Sequence, residues 1–222
     1  MSPRNEPLYD ALMTTRAMRR FTDEPVSDEE ITEILAAAVQ APSGGNIQPY
    51  QFVVVTDPEK RATIGDHYLR AYERYEPAVL AQFPPFDDAE AERRHQRNWS
   101  LSRQLAENVG HAPAIVLVIA PKISMAVHDD EGEMDVGPLA ASVYPAVQNL
   151  ILAARGLGIG TCLTTVARIY EDEVRAVCEI PDRYWLAALL PLGRPQGRWG
   201  VAPRRPASSI TSWNSFGNRR KG

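Results

Sequence analysis

Hydrophobic and polar positions along the chain alternate between stretches of helical period and short continuous apolar runs, and that alternation predicts a protein of helices packed on a sheet. Ile31, Ile34, Leu35, Ala38 and Val39 recur at helical spacing behind Ser27-Asp28-Glu29-Glu30. This is a capping box, with Ser27 placed to accept from the third helical amide, Glu30 to reach back, and acids in the first turn to suit the helix dipole. Phe52-Val53-Val54-Val55 and Ala114 to Ala120 are uninterrupted apolar runs, expected of strands buried on both faces. Between them, residues 59–107 read as a helical excursion broken at Pro77 and again at Phe83-Pro84-Pro85-Phe86. Asp135 to Leu157 carries Leu139, Val143, Val147, Leu150, Ile151 and Ala154 round much of its cylinder and is expected to be a buried helix closed by Gly158. Thr161 to Thr165 and Trp185 to Gly193 read as further strands, and Leu8 to Thr14 and Tyr170 to Glu179 as short helices. From Arg194 on, a tail rich in Pro, Gly, Arg and Ser needs an outside surface to pack on.

Composition narrows the class. A chain of 222 residues, 44% hydrophobic and 23% charged, can bury a full core, and a single domain over 1–222 is expected. A net charge of -4 argues against nucleic acid as a standing partner, since phosphate binding needs a basic face, and leaves small ligands as the expected partners. The polar start from Met1 to Pro7 and the lack of a run of about eighteen apolar residues give no support for a secretory signal or a membrane span, so a cytoplasmic protein is expected. Cys162 and Cys178 lack the spacing of a redox or zinc pair and are expected as buried free thiols. His67, His95, His111 and His128 are too scattered for a ligand set, and His128-Asp129-Asp130-Glu131 reads as a solvated connection, so no metal is expected.

Two stretches carry candidate chemistry. In Ala41 to Phe52, Pro42 ends the helix, Gly44-Gly45 permits close backbone approach, and Ser43, Asn46 and Gln48 offer polar groups beside that opening. This is more than a connection requires and suits a ligand-holding loop, with a plain linker as the alternative. In Thr14 to Phe21, Arg16, Arg19 and Arg20 form a compact positive cluster within an acidic chain, suited to phosphate or carboxylate, with a solvated basic turn as the alternative. Tyr68, Tyr72, Tyr75 and Trp99 either line a pocket or pack on their own core, and packing is slightly favoured. Gly156-Leu157-Gly158-Ile159-Gly160 closes a helix and precedes a strand, the reverse of a dinucleotide cradle. No GxSxG elbow, Walker lysine loop, HExxH helix or kinase signature is present.

The arginine cluster, the capped helix, Ala41-Pro42-Ser43-Gly44-Gly45-Asn46-Ile47-Gln48-Pro49-Tyr50 and Gly156-Leu157-Gly158 stand in the order found in the FMN-dependent nitroreductase family, which the chain resembles over nearly its whole length. The resemblance implies an α+β fold, a three-layer sandwich with a mixed central β-sheet surrounded by helices, and a homodimer with FMN at the subunit interface. It implies a variable helical excursion at 65–108 over the active site and a C-terminal extension, 194–222, lying on the partner. It further implies that Arg16 and Arg19, with the backbone at Ala17, hold FMN phosphate and ring edge. On the same resemblance Pro42, Ser43, Gly44, Asn46 and Gln48 reach the flavin from the other subunit. Cys162, Leu163, Thr164 and Thr165 match the segment whose backbone faces the isoalloxazine near N5, and Arg204 or Arg205 the basic residue on the phosphate. The sequence departs from the family pattern at Thr15 and Ala17, where many members carry arginine and serine, and at Thr165-Val166, where some carry an acid and a glycine. The implied activity is reduction of nitroaromatics, quinones and related acceptors at the expense of NADH or NADPH, in a ping-pong sequence through flavin N5 and with no side-chain acid or base. A specialised member, dehalogenase-like or flavin-destroying, and a non-catalytic flavin-binding protein are the alternatives.

Overall fold

Backbone contacts divide the computed structural model, which describes residues 6–86, 88–123 and 125–220, into two units: Ala17–Arg198, and the segment up to Arg16 together with that from Trp199. In the smaller unit the expected first helix is present as α1 (Glu6–Thr14). Its last carbonyl, on Thr14, accepts from the Gly200 amide at 3.1 Å. The returning chain is largely irregular, with one 3-10 turn at Ala207–Ile210 and the Arg220 guanidinium 3.6 Å from the centre of the Trp213 ring. Leu12, Met13, Ile210 and Phe216 are exposed there.

In the larger unit the capping box closes as its sequence requires. The Glu30 amide donates to Ser27 Oγ at 3.2 Å and the Ser27 amide to Glu30 Oε2 at 3.0 Å, opening α2 (Asp28–Ala38). Ile31, Ile34 and Ala38 are buried, whereas Val39 lies past the last turn as the C-cap and is 40% exposed. There follow β1 (Gln51–Val55), α3 (Pro58–Leu80), α4 (Ala89–Asn108), β2 (Ala114–Pro121), β3 (Val127–Asp129), β4 (Gly132–Met134), α5 (Ala140–Gly156), β5 (Gly160–Thr161), α6 (Glu171–Val177) and β6 (Tyr184–Gly193).

The central sheet has the order β1-β2-β6-β5, and its described ladders are all antiparallel rather than mixed, each long helical connection returning the chain in the opposite sense. Alternation along β2 sends Ala114, Val116, Val118 and Ala120 to a core shared with α2 and α5, and Ile115, Leu117 and Ile119 to a second core shared with α3, α4 and α6. A bulge breaks the β2–β6 register between Val118 and Ile119, so that Ala187 and Ala188 both face the first core. The Ala187 carbonyl at that bulge accepts from the Tyr144 hydroxyl at 3.2 Å.

Several boundaries differ from expectation for identifiable reasons. Phe52 to Val55 is not buried on both faces: β1 is an edge strand, with Val54 37% exposed and only Val55 buried. Pro77 does not break its helix, because it forfeits one amide bond barely a turn from the end and its carbonyl still accepts from Ala81 at 3.1 Å. The connection at 128–131 is a hairpin, β3 pairing with β4. The helix expected from Asp135 begins at Ala140, since Gly137, with φ +89°, turns onto the Asp135 carboxylate and Pro138 follows. The strand expected over Thr161 to Thr165 shortens to β5 plus an isolated bridge between Thr164 and Leu189. Gly158 has φ +75° and Ile159 donates back to Ala154 at 2.8 Å, the helix closure expected of it.

Two glycines govern how the arginine segment docks on this sheet. Gly160 and Gly193 are register partners in the β5–β6 ladder. A Cβ on Gly160 would meet Met18 and Pro195 at 2.9 Å, and one on Gly193 would meet Phe21 at 2.8 Å. Their bare backbone is the floor on which residues 18–21 lie, fixed by the Met18 amide donating to the Thr161 carbonyl at 2.9 Å. Gly160→Ala is therefore expected to lower the free energy of unfolding by about 1–3 kcal/mol through overpacking. A urea midpoint equal to that of the parent, at unchanged slope, would show that the close approach is unimportant.

Candidate active site

The docked segment delivers Arg19 to a cavity of about 250 Å³. Its floor is the stretch after β5, with Cys162, Leu163 and Thr164, and its far wall comes from α3 and α4, with Tyr68, Tyr72, Tyr75 and Trp99. Tyr72, Tyr75 and Trp99 form a mutual aromatic cluster, with ring centroids 6.0 to 6.4 Å apart. The choice between packing and pocket lining is resolved as both: Tyr68 and Tyr72 are each only 2% exposed in the second core, and their faces close the cavity. Behind them Glu76 accepts from the Tyr72 hydroxyl at 3.1 Å and pairs with Arg103.

The electrostatics are those of a binding site rather than of an acid–base pair. Arg19 is the only charged side chain among the described residues that line the cavity. It donates to Cys162, and although its charge pulls the thiol down, burial dominates and pushes Cys162 above its ordinary range, so this sulfur is a neutral thiol and not a nucleophile. Cys178 is likewise free and pushed up by burial. The Tyr68 hydroxyl lies 2.8 Å from Thr164 Oγ1, and desolvation drives the phenol up to about 12. The Thr164 amide is committed to the Leu189 carbonyl at 3.0 Å and the Val166 amide to Thr164 Oγ1 at 3.3 Å, while Thr165 between them is an exposed residue.

The loop at 42–48 is built under strain. Gly45, Asn46 and Gln48 have φ of +56°, +56° and +44°, a region that side chains other than glycine seldom adopt. Anchors hold it: Ser43 Oγ accepts from the Gln48 amide at 2.9 Å, Gln48 Nε2 donates to Asn46 Oδ1 at 3.0 Å, and the Gly44 amide donates to Ser142 Oγ on α5 at 3.1 Å. Pro42, Gly44, Asn46 and Gln48 are exposed, and none of the loop lines the cavity. The flanking Ala41 and Tyr50 belong to the α2–α5 core, whereas the cavity opens over the α3–α4 core across the sheet.

Of the sequence candidates, then, Arg19, Cys162, Leu163 and Thr164 come together, Thr165 is exposed one residue on, and Pro42, Ser43, Gly44, Asn46 and Gln48 sit elsewhere. Arg16, Arg204 and Arg205 are exposed residues of the smaller unit, and Ala17 is exposed at the start of the larger one. Asn98 and Ser102 on α4 also line the cavity. Sequence reasoning missed them, and only their nearness to the flagged Trp99, Asn98 adjacent to it and Ser102 one helical turn on, offered a signal. A larger hollow of about 540 Å³ beside the hairpin and Trp185 gathers Lys122, Glu133 and Asp135 but none of the candidates. Among the described residues no metal-binding cluster occurs, and no helix is long and apolar enough to cross a membrane.

Residues 12–194 match the Nitroreductase family, and the chain belongs to that family. A putative NADH dehydrogenase/NAD(P)H nitroreductase of Archaeoglobus fulgidus is 30% identical over 188 residues, covering 83% of each chain. The 5,6-dimethylbenzimidazole synthase of Rhodospirillum rubrum is 28% identical over 206 residues, 89% of this chain and 90% of that one. Among solved structures, iodotyrosine deiodinase bound to FMN and 3-iodo-L-tyrosine superposes with a TM-score of 0.71 at 25% identity, covering 94% of this chain and 100% of that one. The fold is thus the nitroreductase one, and its relatives span several reactions.

The Tyr68 shift has a testable sign. Because burial raises the folded-state value from 10.0 to about 12, the neutral phenol contributes stability that is complete below pH 10 and is lost as pH climbs towards 12. The phenolate absorbance of the folded protein minus that of Tyr68→Phe should therefore titrate near 12. A difference curve with its midpoint at 10 would contradict the buried, hydrogen-bonded phenol.

Proposed function

We propose that this protein is a cytoplasmic, FMN-dependent oxidoreductase that takes electrons from NADH or NADPH and passes them to nitroaromatic, quinone or related electron-poor acceptors in a ping-pong sequence. The observation that carries the reading is the convergence of Arg19, the Cys162 to Thr164 segment and an aromatic wall in one cavity, within a chain of the nitroreductase family. FMN, when bound, would supply the redox chemistry by accepting hydride at N5 and yielding it to the acceptor. The residues present suit its ring: a guanidinium for an electron-rich edge, neutral hydroxyls for ring heteroatoms, and aromatic faces to stack on or to wall off water. No side chain is asked for a proton or a bond, in keeping with a neutral Cys162 and with a lining that holds no carboxylate or imidazole among the described residues.

In this reading Arg19 binds the ring edge, the Thr165 amide faces the ring near N5, and the hydrogen-bonded Tyr68–Thr164 pair orients what lies over it. Arg16, with Arg204 or Arg205, would take the phosphate. The central test is a titration. The purified protein should be yellow, bleach with one of the two nicotinamides and recolour with a nitroaromatic, and Arg19→Ala should weaken FMN binding by about 1.5–3 kcal/mol. A non-catalytic flavin carrier would stay yellow throughout, and unchanged FMN retention after dilution would remove Arg19 from the site.

The strained loop at 42–48 lines no part of its own cavity, and Leu12, Met13, Ile210 and Phe216 are exposed in the smaller unit. Both are accounted for by a homodimer in which Pro42, Ser43, Gly44, Asn46 and Gln48 complete the partner's flavin site and the tail crosses to the other subunit, over an interface of about 2,000–5,000 Å². A chain ending before Pro206 should then lose dimer and flavin together. If it sediments as a flavin-loaded dimer with an unchanged melting temperature, the tail has no such role.

A further inference from the structure

The aromatic wall of the cavity continues past its lining. His95 stands one turn before Trp99 on α4, their ring centroids 6.0 Å apart, and its ring meets Phe83 edge-on at 4.5 Å and Phe86 at 4.8 Å. Neither phenylalanine lines the cavity, and they are 45% and 38% exposed. Phe83, Phe86 and His95 thus make an aromatic shelf beyond the lining. His95 is ten residues, about 15 Å of helix rise, from Leu105, the last residue of α4 in the cavity.

The charge beside this shelf is positive. Residues 93–97 read Arg-Arg-His-Gln-Arg, and Arg93, Arg94 and Arg97 are exposed. Arg94 lies one turn before the cavity-lining Asn98, on the same side of the helix, and Arg97 is three positions on from Arg94 and adjacent to Asn98. No ion pair among the described residues involves either of them. Of the described acids that open α4, Asp88 accepts from the Glu90 amide at 2.8 Å and Glu92 from Gln96 at 3.2 Å, which leaves Glu90 against three arginines.

We propose that the Phe83–Phe86–His95 shelf, with Arg94 and Arg97, is the subsite for the adenosine phosphate half of the electron donor and makes the protein prefer NADPH to NADH. The inference rests on the oxidoreductase reading above and uses none of the groups assigned there to the flavin. A nicotinamide dinucleotide has its reactive ring at one end and adenine at the other, so a donor whose ring reaches the cavity needs a second resting place outside it. Aromatic faces hold the base by stacking, and guanidiniums hold phosphate. NADPH carries on its adenosine ribose a phosphate that NADH lacks, and that group is what Arg94 and Arg97 distinguish. Binding energy from this remote half then positions the half that reacts.

Calorimetry on the flavin-loaded protein with 2′,5′-ADP, adenosine and inorganic phosphate isolates the subsite, since none of the three can reduce the flavin. At low salt 2′,5′-ADP should bind about tenfold more tightly than adenosine, and the gap should shrink as ionic strength rises. Arg94→Gln/Arg97→Gln should bring 2′,5′-ADP down to the level of adenosine, while Phe83→Ala should weaken both alike. In stopped-flow reduction NADPH should half-saturate at about a tenfold lower concentration than NADH, and the double arginine variant should abolish that difference. The subsite is overturned by inorganic phosphate that binds as tightly as 2′,5′-ADP, by 2′,5′-ADP that does not bind, or by a folded, flavin-loaded double variant that keeps the advantage of NADPH. Dihydronicotinamide riboside, which lacks the adenosine half, separates this failure from that of the reading beneath. If it bleaches the flavin while any of those three results holds, the subsite alone is lost. A flavin bleached neither by it nor by the dinucleotides overturns the oxidoreductase reading and the subsite with it.

Discussion

The Met18 amide on the Thr161 carbonyl, laid over the facing glycines 160 and 193, is the contact on which the site depends. It settles three things together. It satisfies a buried donor that would otherwise cost about 1–3 kcal/mol. It seats Met18, 5% exposed, as an apolar plug against the short strand. It also leaves Arg19, the next residue, beside Cys162 in the cavity. Any side chain at position 160 would push on Met18 and Pro195 together, and both belong to a packed layer with no flexible tip to give way. The position of the cation is thus set by two missing Cβ atoms on the opposite segment, and not by anything in the arginine cluster.

Away from the cavity, charge is paired between elements of the larger unit. Arg175, 3% exposed, is enclosed by Asp172 and Asp182, which raise its proton affinity further. Arg194 joins Glu24 and Glu30, tying β6 to the capping box of α2. Arg103 takes Glu76. The Glu30 carboxyl is held below its usual range first by the Ser27 amide and then by Arg194, so one side chain serves helix capping and interelement bridging at once. Such half-exposed pairs add little stability apiece.

How much of this was legible in the sequence depends on whether the deciding contact was local. The capping box, the left-handed Gly158 and the strongly apolar β2 were readable because their partners lie within a few residues. The burial of β1 was not, since whether a valine run is central or at an edge is fixed by strands far away in the chain. The hairpin at 127–134 was hidden by a turn, Asp130-Glu131, whose acids read equally well as a solvated loop. The site was half legible: Arg19 and Cys162 to Thr164 followed from the resemblance, while the bond joining Tyr68 to Thr164 spans 96 positions and leaves no local trace. For the loop at 42–48 the sequence exposed its glycines and amides but not that Asn46 and Gln48 take up left-handed backbone themselves.

The tyrosines of α3 show why packing and function could not be separated from the sequence. A tyrosine ring is large enough to fill a core, and its hydroxyl lies far enough out to reach what the core borders. Tyr68 uses its ring against the second core and its tip against Thr164, and Tyr72 does the same against Glu76. The apolar body stabilises the layer, which offsets the desolvation of the hydroxyl, so the polar groups of the cavity are held in place by the packing that makes the domain stable. Truncating either ring would remove a core residue and a site residue together. Deleting only the hydroxyl separates the two roles, because it leaves the layer filled while changing what the cavity offers to a ligand.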